Sequence, residues 1–259
     1  EEEEKERRYF QMKPLENEEN LDEGQPLVEH LVELRARLLK TIGFVFLTFL
    51  PLLFFANDIY DLISEPLRNL MPPGSSMIAT EVASPFLTPF KLAFVTSFFI
   101  SIPFILHQIW SFVAPGLYSS EKKFMGPIFL TSILLFYLGM AFAYFAVFPL
   151  VFDFFASVIP EGVSMMTDIN RYLDFVLKLF FAFGLAFEIP IATIILVWSG
   201  AITMESIKNK RPYVIVGCFI FGMLLTPPDV ISQALLAIPM WFLFEIGIFL
   251  CKIFKLERL

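Results

Sequence analysis

Apolar residues dominate this chain in long blocks rather than in helical or alternating stripes. Six such blocks stand out, at Leu38–Ala56, Phe86–Ala114, Met125–Ala156, Tyr172–Ser199, Pro212–Thr226 and Ile231–Leu250. A hydrocarbon layer about 30 Å thick needs about 20 residues of helix, and most of these blocks reach or approach that length. A soluble bundle would require polar faces on such stretches, and they have none. The pattern predicts an all-α polytopic membrane protein with six transmembrane helices. The second, third and fourth blocks are long enough to tilt or to project beyond the bilayer. The fifth, only about 15 residues, would span about 22 Å as a helix, and the tight turn Pro227-Pro228-Asp229 joins it to the sixth. No internal repeat is visible, which counts against many secondary transporters.

Ahead of the first block the pattern changes. In LVEHLVELRARLLK, residues 27 to 40, Leu27, Leu31, Leu34 and Leu38 recur at spacings of four, three and four. They form one helical stripe, with Glu29, His30, Glu33, Arg35 and Arg37 on the other faces. This predicts an amphipathic helix at the membrane interface that runs into the first span. A local pair with Arg37, four residues on, accounts for Glu33 in the simplest way. The segment FVAPGLYSSEKKF, residues 112 to 124, joins the second and third blocks. Pro115 and Gly116 end one helix, Ser119 or Ser120 can cap the next, and Glu121 then sits where the helix dipole favours a carboxylate. Those local readings leave one thing aside: Glu33 and Glu121 are expected at the same membrane surface. Two carboxylates there could hold a pair of guanidinium groups through charge-assisted hydrogen bonds.

Charge distribution orients the chain. The net charge of −7 misleads, because residues 1 to 25 hold ten Glu or Asp against four Lys or Arg. That acidic tail has the composition of a disordered segment, and because the chain begins without Met the tail is open to being non-native. Arg7, Arg8 and Phe10 within it partly match a twin-arginine export signal, but no apolar region or small-residue cleavage site follows. Residues 26–255 read as the membrane domain and 256–259 as a short cytoplasmic end. Beyond the tail, Arg35, Arg37, Lys40, Lys122, Lys123, Lys208, Lys210, Arg211, Lys252, Lys255 and Arg258 fall on one side of the predicted spans. Only Arg68 and Arg171 occupy the opposite loops, with Lys91 and Lys178 within or near spans. The positive-inside rule then puts both termini in the cytoplasm. The loop from Asn57 to Pro85 becomes external, and its length suggests short helical pieces that cap the outer face.

Chemistry-bearing residues inside the spans are few. Glu188, in AFEIPI, would be costly in lipid, and Pro190 should kink its helix. It reads either as a hydrogen-bonded acid that fixes helix packing or as a polar spot facing a partner. Asp174 and Lys178, four apart, read as a local pair, and turn chemistry accounts for Asp229. Cys218 and Cys251 lie within apolar blocks and read as space-filling residues. His30 and His107 are far apart and lack clustered ligands. No HExxH, GxSxG or Walker sequence is present, so the residues offer no enzyme. A small-solute secondary transporter is the serious alternative from another class. Its mark would be paired broken helices in both halves, and Glu188-Ile189-Pro190 has no counterpart in the first. A purely structural membrane scaffold is a third possibility.

Six segments in order, EHLVELRARL, ASPFLTPFKL, FVAPGLYSSEKK, FYLGMAFAYFAVFPL, FVLKLFFAFGLAFEIPI and LLTPPDVISQALLAIPMWFLFEIGIF, resemble the TatC family of twin-arginine translocase components. The likeness extends from about Gln25 to Phe254. It implies a receptor in the bacterial inner membrane, without cofactor and without nucleic acid, that binds twin-arginine signal peptides of folded cargo. Its implied partners are TatB-like and TatA-like single-span subunits, further copies of itself in a receptor complex, and the lipid bilayer, with export driven by the proton-motive force. Matched residue by residue, Glu33 and Glu121 become the signal-recognition carboxylates, with Leu27, Arg35, Phe112, Pro115, Leu117 and Tyr118 around them. Gln233 resembles the family's polar contact for a partner helix, with Glu188 and Asp229 as further partner-facing or membrane-embedded polar positions. Pro66 matches a position tied to the integrity of the external cap.

Overall fold

The structure, a computed structural model, describes residues 24–70, 77–113, 122–158, 166–225 and 230–253. These residues fall into two compact units divided between Gly43 and Phe44. Helix α1 (Gly24–Leu52) begins in the first unit and continues into the second. Pro51 in its last turn removes a backbone donor, and the chain passes through a 3-10 turn, Leu53–Phe55, into α2 (Ala56–Leu70). The predicted helical piece after the first span is therefore present. A two-residue strand, β1 (Met77–Ile78), follows.

Helices α3 (Ser84–Ile100) and α4 (Ile102–Val113) occupy the second apolar block. The sequence predicts a single long helix there; instead the two pieces meet at a 48° bend. The cause is Pro103, which cannot donate to the carbonyl of Phe99 four residues earlier. The hydroxyl of Tyr137, on the next helix, donates to that carbonyl at 3.0 Å. The bend is closed from outside by Thr48 of α1, whose Oγ1 lies 3.0 Å from Ser101 Oγ.

The third block forms α5 (Lys122–Phe142), a π-helical turn at Ala143–Val147 and α6 (Phe148–Ser157). Pro149, just past the π turn, lacks the donor that an uninterrupted α-helix would use there. Strand β2 (Thr167–Asp168) pairs in parallel with β1, Met77 opposite Thr167 and Ile78 opposite Asp168. This small pair departs from the all-α expectation; two residues per strand are too short for a periodicity signal. Helices α7 (Ile169–Ala186) and α8 (Ile189–Trp198) share the fourth block. A short α9 (Met204–Asn209) precedes α10 (Arg211–Leu225), and α11 (Val230–Ile253) ends the described chain.

Among the described residues four helical stretches, His30–Glu65, Gly126–Phe155, Ile169–Trp198 and Val230–Ile253, are long and apolar enough to cross a membrane. The bent pair α3 and α4 makes a fifth, and α10 is a shorter apolar helix of 15 residues. The result is a predominantly helical polytopic membrane fold. Its core is aromatic. Phe99, Phe136, Phe148, Phe180 and Phe183 are buried with Leu92, Leu173, Val176 and Leu236 between α3, α5, α7 and α11. Outside this core the surface stays apolar, as at Phe54, Tyr213, Leu224 and Phe242, because lipid rather than water is its solvent.

Small residues set the closest helix approach. A Cβ on Gly139 of α5 would lie 2.4 Å from the carbonyl oxygen of Phe183 in α7. Reciprocally, a Cβ on Gly184 of α7 would lie 2.8 Å from the ring of Phe136 in α5. Such mutual small-residue contact drives helix pairing where no hydrophobic force operates. Gly139→Ala must push one backbone off another, a change expected to cost about 1–3 kcal/mol. Gly217→Ala meets nothing within 4 Å and should be neutral or slightly stabilising. Thermal unfolding of both variants in one detergent checks the contrast; equal melting temperatures would refute this packing.

Candidate functional site

The first unit presents the amphipathic head of α1. Glu33 is half-exposed there and paired with Arg37, as the four-residue spacing predicts. Arg37 donates from both Nε, at 2.9 Å, and Nη2, at 2.5 Å, to the same oxygen, Oε1. The other oxygen, Oε2, has His30 Nδ1 at 4.0 Å, beyond hydrogen-bond length. Arg35 is exposed, as are Leu31, Leu34 and Leu38 of the apolar stripe. Leu27 lies on the same helix. Phe112 is half-buried near the end of α4. Pro115, Leu117, Tyr118, Glu121 and Asp229 lie outside the described residues. Pro66 falls within α2.

Glu188 stands at the junction of α7 and α8, followed at once by Pro190. Its Oε2 accepts a hydrogen bond from Ser132 Oγ of α5 at 2.5 Å, and Ser132 is buried. Oε1 is buried with no hydrogen-bond partner. The acid thus links α5 to the junction of α7 and α8. Across the same region a Cβ on Gly247 of α11 would lie 3.0 Å from Pro190 Cα. The neighbouring hairpin is equally tight: a Cβ on Gly222 of α10 would come within 3.2 Å of the backbone oxygen of Gln233 in α11. Gln233 itself is half-buried.

One pairing differs from the sequence reading. Asp174 binds Lys91 of α3, not Lys178 on its own helix. Helix-to-helix packing brings Lys91 to Asp174 across 83 residues of sequence, whereas periodicity registers only neighbours on one helix. Two further polar links carried too little sequence signal to be found. Arg211 Nη2 donates to Glu245 Oε2 at 2.7 Å, tying the start of α10 to α11. Asp168 caps α7, its Oδ1 accepting from the amides of Asn170 and Arg171 at 3.0 Å each. Its Oδ2 accepts from the Thr80 hydroxyl at 2.6 Å and the Thr80 amide at 3.0 Å. An Asp just before an apolar helical run is a recognisable N-cap; its second partner, 88 residues away, is not readable. The Thr80 hydroxyl above all, and then the amides of Arg171, Thr80 and Asn170, hold the Asp168 carboxyl down at about 2. Among the described residues no group of three His, Cys, Asp or Glu could hold a metal ion.

Comparison with known proteins bears on nearly the whole chain. The family model for Sec-independent protein translocase protein (TatC) matches residues 29–239. A relative from Azotobacter chroococcum, named Sec-independent protein translocase protein TatC, is 62% identical over 228 residues, covering 88% of this chain and 89% of the relative. One of the same name from Escherichia coli K12 is 56% identical over 235 residues, 91% of each. A crystal structure of the twin-arginine translocase receptor TatC superimposes with a TM-score of 0.78 at 38% identity, covering 86% of this chain and 98% of that one.

Two outcomes follow from the geometry. The carboxyl of Asp168 titrates lower in the folded state than in an unfolded chain, where it would lie near 3.9. Its contribution is therefore fully present above pH of about 4 and is lost as pH falls toward 2. Asp168→Ala should cost about 1–2 kcal/mol at neutral pH and flatten the loss of stability between pH of about 4 and 2, read by thermal unfolding across that range. At the membrane core, Glu188→Gln keeps an acceptor for Ser132 and should shift stability little. Glu188→Leu strands the buried hydroxyl, at a cost of about 0.6–1.7 kcal/mol. Melting in detergent and export in cells, measured on both variants, separate packing from function: export lost with stability kept indicates a functional acid.

Proposed function

Because the chain belongs to the TatC family of Sec-independent protein translocase proteins, we propose that it is a receptor that recognises twin-arginine signal peptides on folded cargo and supports their export. It acts by binding and not by catalysis. The likeness over about nine-tenths of the chain carries this reading, and the half-exposed Glu33 beside the exposed Arg35 on α1 supports the proposed site. Glu33 and Glu121 hold the paired guanidinium groups of the signal, with Leu27, Arg35, Phe112, Pro115, Leu117 and Tyr118 forming the surroundings. A carboxylate suits this task because both of its oxygens can accept from one planar guanidinium.

The receptor works in a bacterial inner membrane with six spans and both termini in the cytoplasm. The excess of Lys and Arg on one side supports that orientation, and the 15-residue α10 followed by α11 supports a short final hairpin. Residues between the first two spans, including Pro66 in α2, cap the outer face, braced by Asp168 on Thr80 and by the Tyr172 hydroxyl donating to the Ile63 carbonyl at 2.8 Å. Single-span TatB-like and TatA-like subunits and further copies of this chain complete the working complex. The apolar exposed face of α10, with Val216, Ile220 and Leu224, is available to lipid and to such helices. Glu188, Gln233 and Asp229 supply the polar contacts. Residues 1–25 lie outside this membrane domain.

Glu33→Ala and Glu121→Ala should each weaken binding of a twin-arginine peptide about tenfold or more, the loss of one charge-assisted contact. Insertion and abundance should stay near normal, since Glu33 is half-exposed and carboxylates at a membrane surface contribute little to folding. Glu121→Lys should bind worse than Glu121→Ala, because repulsion is added to the lost attraction. Peptide binding to the full chain in lipid nanodiscs reads these outcomes. Unchanged affinity in the double alanine variant would overturn the assignment.

A further inference from the structure

Glu33 is already occupied by an arginine of its own helix. Arg37 places Nε and Nη2 on Oε1, at 2.9 and 2.5 Å. The guanidinium is therefore not in the fork-to-fork arrangement, in which each carboxylate oxygen takes one N–H. An oxygen that already accepts two hydrogen bonds has no lone-pair direction left for a third. Oε2 is different: neither Arg37 hydrogen bond falls on it, and His30 Nδ1 stands 4.0 Å away, too far to hydrogen-bond. The Arg37 side chain is 23% exposed and that of Glu33 37%, so the pair is held yet reachable.

We propose that Arg37 is an internal competitor for Glu33, a specificity-determining residue that an incoming ligand must displace from Oε1. The inference rests on the reading that Glu33 receives a guanidinium of the signal peptide. A ligand guanidinium that displaces Arg37 replaces a two-on-one contact by a fork on both oxygens, regaining the hydrogen bonds broken and adding Oε2. A lysine ammonium is a compact, strongly hydrated charge without that fork. It must either settle on Oε2 alone or break two guanidinium hydrogen bonds to gain a poorer contact. Arg37 thus taxes both ligands but taxes lysine more. Specificity of this kind comes from a barrier against the wrong partner as well as attraction to the right one. The tax is small, because pairs four apart on a half-exposed helix face are weak.

The test uses the full chain in nanodiscs and two labelled peptides that differ only in a twin-arginine or twin-lysine pair. Each is titrated against the unaltered chain, Arg37→Gln, Arg37→Lys and Glu33→Gln. Removing the competitor with Arg37→Gln should tighten the twin-arginine peptide about two- to fivefold and the twin-lysine peptide by more, narrowing the ratio between them. Arg37→Lys keeps the charge without the fork and should fall between Arg37→Gln and the unaltered chain in that ratio. If Arg37→Gln instead weakens the twin-arginine peptide, or leaves the ratio unchanged, while Glu33→Gln abolishes discrimination, then Arg37 merely orients the carboxylate and the competitor is refuted alone. If Glu33→Gln has no effect on either peptide, the site at Glu33 and the competitor fall together. Thermal unfolding of each variant verifies that the ratio is read on folded protein.

Discussion

Lipid offers no hydrogen bonds, so each backbone carbonyl and amide within the bilayer must find its partner inside the protein. Prolines make this hard for any bundle, and this chain has 18; they fall in or beside most of the helices, for example at Pro51, Pro89, Pro103, Pro127, Pro149, Pro190, Pro212 and Pro239. Each proline inside a helix withholds one donor from the carbonyl four residues before it. The fold depends on how those gaps are met. At the 48° bend the Tyr137 hydroxyl fills the gap at Phe99. Side-chain hydroxyls elsewhere turn back onto their own helices, as Ser97 does to the Phe94 carbonyl at 2.6 Å and Thr193 to the Ile189 carbonyl at 2.8 Å. The 48° bend is a defined shape and not a loose joint, because the carbonyl that Pro103 leaves open has the Tyr137 hydroxyl as its donor.

Close helix approach is the second consequence. Glycines lie opposite backbone, and Gly139 against the Phe183 carbonyl leaves no room for any side chain. Around these contacts phenylalanines fill the space, for example Phe98 stacked on Phe181 with centroids 4.9 Å apart. An aromatic core suits a protein with no hydrophobic effect between its spans, since flat rings offer large dispersion contact for little lost rotamer freedom. Polar side chains also meet each other there, Ser132 with Glu188 and Thr48 with Ser101.

Further polar groups lie outside that core. On α1 the amphipathic head carries Glu33, whose charge is balanced by Arg37 yet remains reachable. Asp168 joins the start of α7 to Thr80, with the β1–β2 pair beside it. That clamp holds the segment between the first two spans against the end of a buried helix.

Much of this was determined by the sequence alone. Blocks of about 20 apolar residues have no stable fate but a membrane, so the class, the helical content and the places of most spans were legible. The local pair of Glu33 with Arg37 was legible too, because both partners lie within one helical turn. The family likeness pointed to Glu33 and its neighbours, although Glu121, Pro115, Leu117, Tyr118 and Asp229 lie outside the described residues. Only the tertiary structure decided what depends on packing between distant segments. It replaced the expected Asp174–Lys178 pair by Lys91–Asp174, broke one predicted helix into α3 and α4, and gave Glu188 its Ser132 donor. It also placed the Arg211–Glu245 link and the two parallel strands. Periodicity reports which residues share a face of one helix; it carries no information on which face of another helix will meet it, and that meeting chooses every long-range polar partner here.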